Sequence, residues 1–146
     1  SSWRIPADGS QQPVRITEKF ASYPVISPDN RSVAYFYKDD QSSPWRIGIS
    51  PIDGGPPTRS FDLPPSFERP LRWTGDGRGL AYIDTRNGVS NIVVQPLSGG
   101  PPKPLTDFKS DSILWFDISR DGKRLALAKG RVTNDVVLMS DPGTYK

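Results

Sequence analysis

Ser27-Pro28-Asp29-Asn30-Arg31-Ser32-Val33-Ala34-Tyr35-Phe36-Tyr37 reads as a tight turn, a basic residue and an apolar run, and the pattern returns twice. The second copy is Thr74-Gly75-Asp76-Gly77-Arg78-Gly79-Leu80-Ala81-Tyr82-Ile83-Asp84, and the third is Ser119-Arg120-Asp121-Gly122-Lys123-Arg124-Leu125-Ala126-Leu127-Ala128-Lys129. Their turn aspartates, Asp29, Asp76 and Asp121, stand 47 and then 45 residues apart. A second marker, Asp8-Gly9-Ser10, Asp53-Gly54-Gly55 and Ser98-Gly99-Gly100, keeps a step of 45, and Pro-Pro follows its last two copies. Two independent markers with one period define a structural repeat.

Within each period the segments are short, β-branched or aromatic, and bounded by Pro, Gly, Asp and Ser, which is strand chemistry. Ahead of the turn lie Ser22 to Ser27, Arg69 to Thr74 and Leu114 to Ser119, with Ile26, Trp73 and Ile118 in register. After it come Arg31 to Tyr37, Arg78 to Asp84 and Lys123 to Lys129, with Ala34, Ala81 and Ala126 equivalent. A small residue there suits sheets packed about 10 Å apart, where a large side chain must meet a small one. A third strand covers Trp45 to Ile52, Asn91 to Leu97 and Asp135 to Ser140. A short fourth follows at Thr58 to Phe61 and Pro104 to Thr106, with Val14 to Thr17 as its counterpart near the start.

Four antiparallel strands in every 45 residues or so, joined by tight turns, form the pattern of a β-propeller blade. The expected architecture is all-β: two closing strands of a first blade in 1–19, whole blades in 20–65 and 66–110, and a blade lacking its outer strand in 111–146. Propellers close with four to eight blades, and an open array exposes an inter-blade face at each end. The expectation is therefore an incomplete propeller that closes by association, as a homodimer or with remaining blades. Val14 to Thr17 of one copy would then supply the outer strand beside Asp135 to Ser140 of another.

The residues also carry a resemblance. SPDNRSVAYFY with RIGISPIDGG, TGDGRGLAYID with NIVVQPLSGGPPKPLT, and SRDGKRLALAK with DVVLMSD resemble the bacterial TolB-type, WD-like β-propeller repeat over almost the whole chain. Departures are local: Thr74-Gly75 stands for Ser-Pro, Arg120 for Pro, and the closing Leu-Thr is intact only at Leu105-Thr106. The ending RVTNDVVLMSD is similar to the final blade of some bacterial receptor-like kinases and transcriptional regulators, and DVVLMSDPGTYK looks like a natural chain end. The resemblance extends to the gating propellers of prolyl-oligopeptidase-like serine peptidases, whose chemistry resides in a separate hydrolase domain.

Composition narrows the function. The 146 residues include 16 Pro and 13 Gly but no His and no Cys. This excludes a Ser-His-Asp triad, a Cys-His pair, imidazole or thiolate metal sites and disulfides, so neither enzyme chemistry nor a cofactor is expected. The net charge of +3 comes from 19 basic and 16 acidic residues scattered singly, which is no nucleic-acid footprint. There is no apolar run of membrane-spanning length, and SSWRIPADGS has no charged region followed by an apolar one; direct membrane contact and an export signal are not expected. The missing Cys suits either side of a bacterial membrane, so no compartment is assigned.

Candidate residues follow from the blade pattern. Asp29, Asp76 and Asp121 read as turn residues that accept local amide hydrogen bonds, not as a cation site, since they belong to three blades. Gly75-Asp76-Gly77-Arg78-Gly79 likewise reads as a turn, because no helix pattern follows it. Asn30-Arg31-Ser32 fits the glycosylation acceptor pattern but falls in a hairpin turn. In the first strands Val25, Arg72 and Asp117 are equivalent, so Arg72 and Asp117 are expected to pair between adjacent blades; the alternative makes Arg72 an anchor for an anionic group. Loops entering the first strand and loops joining the second to the third should share one rim, with Arg69, Trp45 and Trp115 as contact candidates for a protein or peptide; because Trp45 opens a strand and Trp115 lies within one, plain inter-blade packing is the leading reading of both tryptophans. The leading expectation is a non-catalytic interaction or sensor module. The competing ones are a gating propeller of a peptidase and an excised segment with no ligand function.

Overall fold

The computed structural model describes residues 1–17 and 20–131. Among these there is no helix, and hence none long and apolar enough to cross a membrane. Twelve strands form four antiparallel sheets. The first sheet pairs β1 (Trp3–Arg4) with β2 (Val14–Arg15). The second runs in order through β3 (Phe20–Ile26), β4 (Ser32–Lys38), β5 (Arg46–Pro51) and β6 (Arg59–Asp62). The third holds β7 (Phe67–Trp73), β8 (Gly79–Arg86), β9 (Val89–Pro96) and β10 (Lys103–Pro104), and the fourth pairs β11 (Ser112–Ile118) with β12 (Leu125–Gly130). The expected strand Asp135 to Ser140 lies outside the described residues.

The turn between first and second strands has one chemistry in three copies. Asp29, Asp76 and Asp121 each accept the hydroxyl of the residue two before (Ser27, Thr74, Ser119) at 2.6 Å and the amide of the residue two after (Arg31, Arg78, Lys123) at 3.0–3.1 Å. The same hydroxyls accept the amides of Ser32, Gly79 and Arg124 at 2.9 Å. Asn30, Gly77 and Gly122 take φ of +60° to +69°, where Asn and Gly are least costly. These amide bonds explain why the second strands begin a residue or more after Arg31, Arg78 and Lys123.

Alternation along the second strands divides the core between neighbouring sheets. On β4, Ala34 and Phe36 join Ile47, Ile49, Leu71, Leu80 and Tyr82 between the second and third sheets, while Val33, Tyr35 and Tyr37 pack with Ile16 against the first. On β8, Leu80 and Tyr82 look back at the second sheet, while Ala81 and Ile83 meet Ile92, Ile113 and Phe116 toward the fourth. Ala34 and Ala81 are fully buried, as expected of small residues at the inter-sheet contact. Ala126, their equivalent, is exposed, because no described sheet follows the fourth.

The first strands β3, β7 and β11 lie against one another in sequence, so the sheets fan out from a common inner edge. Polar ties cross between them: Trp73 Nε1 donates to the Val25 carbonyl at 3.0 Å, and Arg59 Nη1 to the Leu97 carbonyl at 2.8 Å. Sheets of antiparallel strands in radial succession define β-propeller blades.

Candidate interaction site at the inner rim

Each first strand carries a bulge at the same level. The register against the second strand shifts between Ser22 and Val25, between Glu68 and Arg72, and between Ile113 and Trp115. Residues looped out of the ladder by a bulge are re-aimed away from the sheet. Between the shifted partners lie Tyr23 and Pro24, Arg69 to Leu71, and Leu114; Pro70 and Leu71 turn into the core, while Tyr23, Arg69 and Leu114 are exposed. Tyr23 holds φ at +56°, a sparsely populated region for an aromatic residue, and the Arg69–Pro70 peptide is cis.

Around the first two bulges the structure gathers residues from three strands and a loop. The Arg69 guanidinium carbon lies 4.9 Å from the Tyr23 ring centroid and 5.6 Å from that of Trp45. Lys38 Nζ lies 5.4 Å from the Trp45 centroid and donates to the Gln41 carbonyl at 2.6 Å. Trp45 meets Phe67 edge-on at 6.4 Å, and Phe67 packs on Phe36 at 5.1 Å. Trp45 thus stands half-buried just before β5, its ring braced from below. Ser22 Oγ, beside the first bulge, is buried without a hydrogen-bond partner.

Arg72, Asp117 and Trp115 come together at the neighbouring level. Arg72 Nε donates to Asp117 Oδ1 at 2.8 Å, and its guanidinium lies 5.2 Å from the Trp115 ring. Its Nη1 also donates to the Leu71 carbonyl at 2.9 Å. This leaves Arg72 occupied as a tie between sheets. Trp115 remains about half exposed beside the Arg72 guanidinium.

The turn aspartates do no more than hold turns. Their carboxyls sit below the usual value of 3.8, through the Ser or Thr hydroxyl first and the amide two residues on second. Among the described residues no group of acidic side chains is arranged to hold a metal. A cleft of about 560 Å³ lies elsewhere, at the outer edge of the third sheet between Pro64, Tyr82, Asp84 and Phe108. Both of its acids are committed, Asp84 to the Ser66 hydroxyl and to Arg86, 2.9 Å away, and Asp107 to Lys109 at 2.6 Å.

Arg69, Trp45, Arg72, Asp117 and Trp115 were legible as rim or inner-strand residues, whereas Tyr23 and Leu114 were not. A signal existed in Pro24 and Pro70, which interrupt first strands 46 residues apart. Proline inside a strand marks an edge or a bulge.

The chain is thus an array of β-propeller blades. More narrowly, the blades are TolB-like. The structure superposes on TolB from Acinetobacter baumannii with a TM-score of 0.59, at 21% identity, covering 83% of this chain and 29% of that one. On a putative TolB from Agrobacterium tumefaciens the TM-score is 0.62 at 23% identity, covering 86% and 45%. In sequence, 102 residues are 34% identical to Tricorn protease homolog 1 of Streptomyces coelicolor, which is 69% of this chain and only 9% of that protein. No protein-family model matches the sequence.

Proposed function

We propose that the chain is a non-catalytic propeller module that binds a protein or peptide at the rim where the inner-strand bulges emerge. The observation that supports this reading is the repetition of a bulge in the first strands of three successive sheets, which leaves Tyr23, Arg69 and Leu114 exposed. Rigid blades with variable residues looped out at one end are how a repeat scaffold builds a contact surface. Exposed aromatic and arginine side chains there are the residue types that dominate binding energy. Peptides selected from a displayed library on the folded protein should lose binding to the variants Tyr23→Ala or Leu114→Asp. Selected peptides indifferent to both changes would overturn the reading.

The module's uncovered blade face is completed in this reading by further blades, from a second copy or from other parts of a ring. The exposed Ala126 supports it, since its counterparts Ala34 and Ala81 in the preceding sheets are fully buried. Light scattering over a range of concentrations reads this directly: a dimer near twice 16.2 kDa means closure between copies. A folded monomer at all concentrations refutes self-closure.

A second reading has one observation in its favour, the likeness to a Tricorn protease homologue over two thirds of the chain. In it the blades guard a peptidase active site carried elsewhere. A nucleophile-bearing segment of the G-x-S-x-G kind in the same polypeptide would favour this reading over the first.

A further inference from the structure

Among the arginines of the described residues, Arg69 is held differently from the rest of the rim. Arg46, Arg72, Arg86 and Arg131 each carry an aspartate within 3 Å of Nε. Arg69 forms no hydrogen bond and no ion pair with any described residue, its chain neighbour Glu68 included. What it has instead is two aromatic rings within cation–π range, Tyr23 at 4.9 Å and Trp45 at 5.6 Å.

A guanidinium carries five N–H donors in its plane and none on its faces. Two rings in that range exclude water from part of the guanidinium and offer its N–H donors no oxygen acceptor, so the donors stay available to a ligand. The clamp is itself fixed. Tyr23 is locked by the bulge and its positive φ, and Trp45 is braced by Phe67, which rests on buried Phe36. Lys38 Nζ over the Trp45 ring adds a second positive charge. The following loop does not neutralise the pair through Asp40, whose carboxylate is turned into its own loop, accepting the amides of Ser42 and Ser43 at 2.8 Å. Arg72 shows the contrast: it too lies over an indole, but its edge is already filled by Asp117.

We propose that the Tyr23–Arg69–Trp45 clamp is a carboxylate-binding subsite, and that its ligand is an acidic peptide whose carboxylate pairs edge-on with the Arg69 guanidinium. The planar fork matches a carboxylate in bidentate fashion, and such charge-assisted pairs are the strong ones. The inference rests on the rim reading above and names the chemistry the rim selects.

The test is an NMR titration of the folded chain, following the Arg69 Nε–H and the indole N–H of Trp45 and Trp115. Three probes separate the sources of the carboxylate: acetyl-Gly-Glu-Gly-Glu-Gly amide, its Gln counterpart, and acetylated pentaglycine with a free C-terminus. The Glu peptide should shift Arg69 and Trp45, and the Gln peptide should not. Arg69→Gln, at an exposed position, should abolish the shifts without unfolding the chain. Arg69→Lys, a point charge without the fork, should weaken binding about tenfold. Arg72→Gln should leave it unchanged. If pentaglycine acts like the Glu peptide, the clamp takes a chain terminus as well as a side chain, and the carboxylate assignment stands. Equal shifts from the Glu and Gln peptides, or shifts that survive Arg69→Gln, overturn the clamp while leaving the rim reading intact. If all three probes leave every rim signal unmoved, both fall.

Discussion

Gly75 is where the second turn departs from Ser-Pro, and the contact between blades explains why. A Cβ built there lies 2.5 Å from the Gly122 nitrogen, 2.6 Å from the Gly122 Cα and 3.0 Å from the Asp121 carbonyl carbon. All three atoms are backbone in the facing turn, so no rotamer change relieves the clash. Nor can that turn deform cheaply, since the Gly122 amide is bonded to the Ser119 carbonyl at 2.8 Å and the Ser119 hydroxyl to Asp121 at 2.6 Å. In Gly75→Ala the third and fourth sheets must therefore move apart locally, and overpacking of this kind costs about 1–3 kcal/mol. Replacing a glycine without positive φ returns roughly 0.4–1 kcal/mol through the unfolded chain. The net expectation is a loss of about 1–2 kcal/mol, or roughly 2–8 °C in Tm for a chain of this size. Urea unfolding followed by tryptophan fluorescence reads it, because Trp73 and Trp115 sit in the two sheets that would separate. Gly130→Ala is the control, with nothing within 4 Å of its added Cβ. Gly75→Ala as stable as Gly130→Ala would refute the stacking of the turns.

Other consequences can be measured the same way. Ala81→Leu should cost about 1–3 kcal/mol by overpacking a closed inter-sheet contact, whereas Ala126→Leu should cost that much only if further blades cover its face. A double-mutant cycle on Arg72→Gln and Asp117→Asn should return a coupling of about 0.2–1 kcal/mol, small because Asp117 is largely in solvent; zero coupling would dissolve the tie. Trp73→Phe loses both the N–H bond to Val25 and the five-membered ring packed on the core, and should cost about 1–3 kcal/mol in the same urea assay. Asp29, Asp76 and Asp121 are held below 3.8 and Asp40 at about 2, by hydroxyl and amide donors, so the native chain binds fewer protons than the unfolded one. Their stabilisation is complete above the unfolded value of 3.8 and is lost as the pH falls through the native values toward about 2. Urea midpoints should drop over that window and flatten when the three turn aspartates are changed to Asn.

The architecture was legible because the turns spell it out. A Ser or Thr, an Asp two residues on and an Asn or Gly after it form one hydrogen-bonded unit, and three copies at a constant step leave little choice of fold. Alternation in the second strands told which residues pack, because burial on both faces produces unbroken runs such as Val33 to Tyr37. The exposure of Ala126 follows from the open end of the array and not from the repeat, since a repeat pattern describes each blade as though its neighbours were present.

The site was half legible for a related physical reason. Arg72 and Asp117 occupy equivalent positions in a period, so their pairing follows from the repeat alone. Tyr23 is different: its role depends on a bulge that turns its backbone to φ +56°, a conformation no tyrosine announces by type. Only the prolines after Tyr23 and Arg69 hint that the ladder breaks there. That break is what distinguishes Arg69 from Arg72, three residues along the same strand. Arg72 remains in the ladder and is satisfied by the next blade. Arg69 is looped out beside two rings and finds no acceptor among the described residues. Within one inner strand, then, the regular position Arg72 ties the blades together, and the irregular one is the position to which the proposed reading gives recognition of a partner.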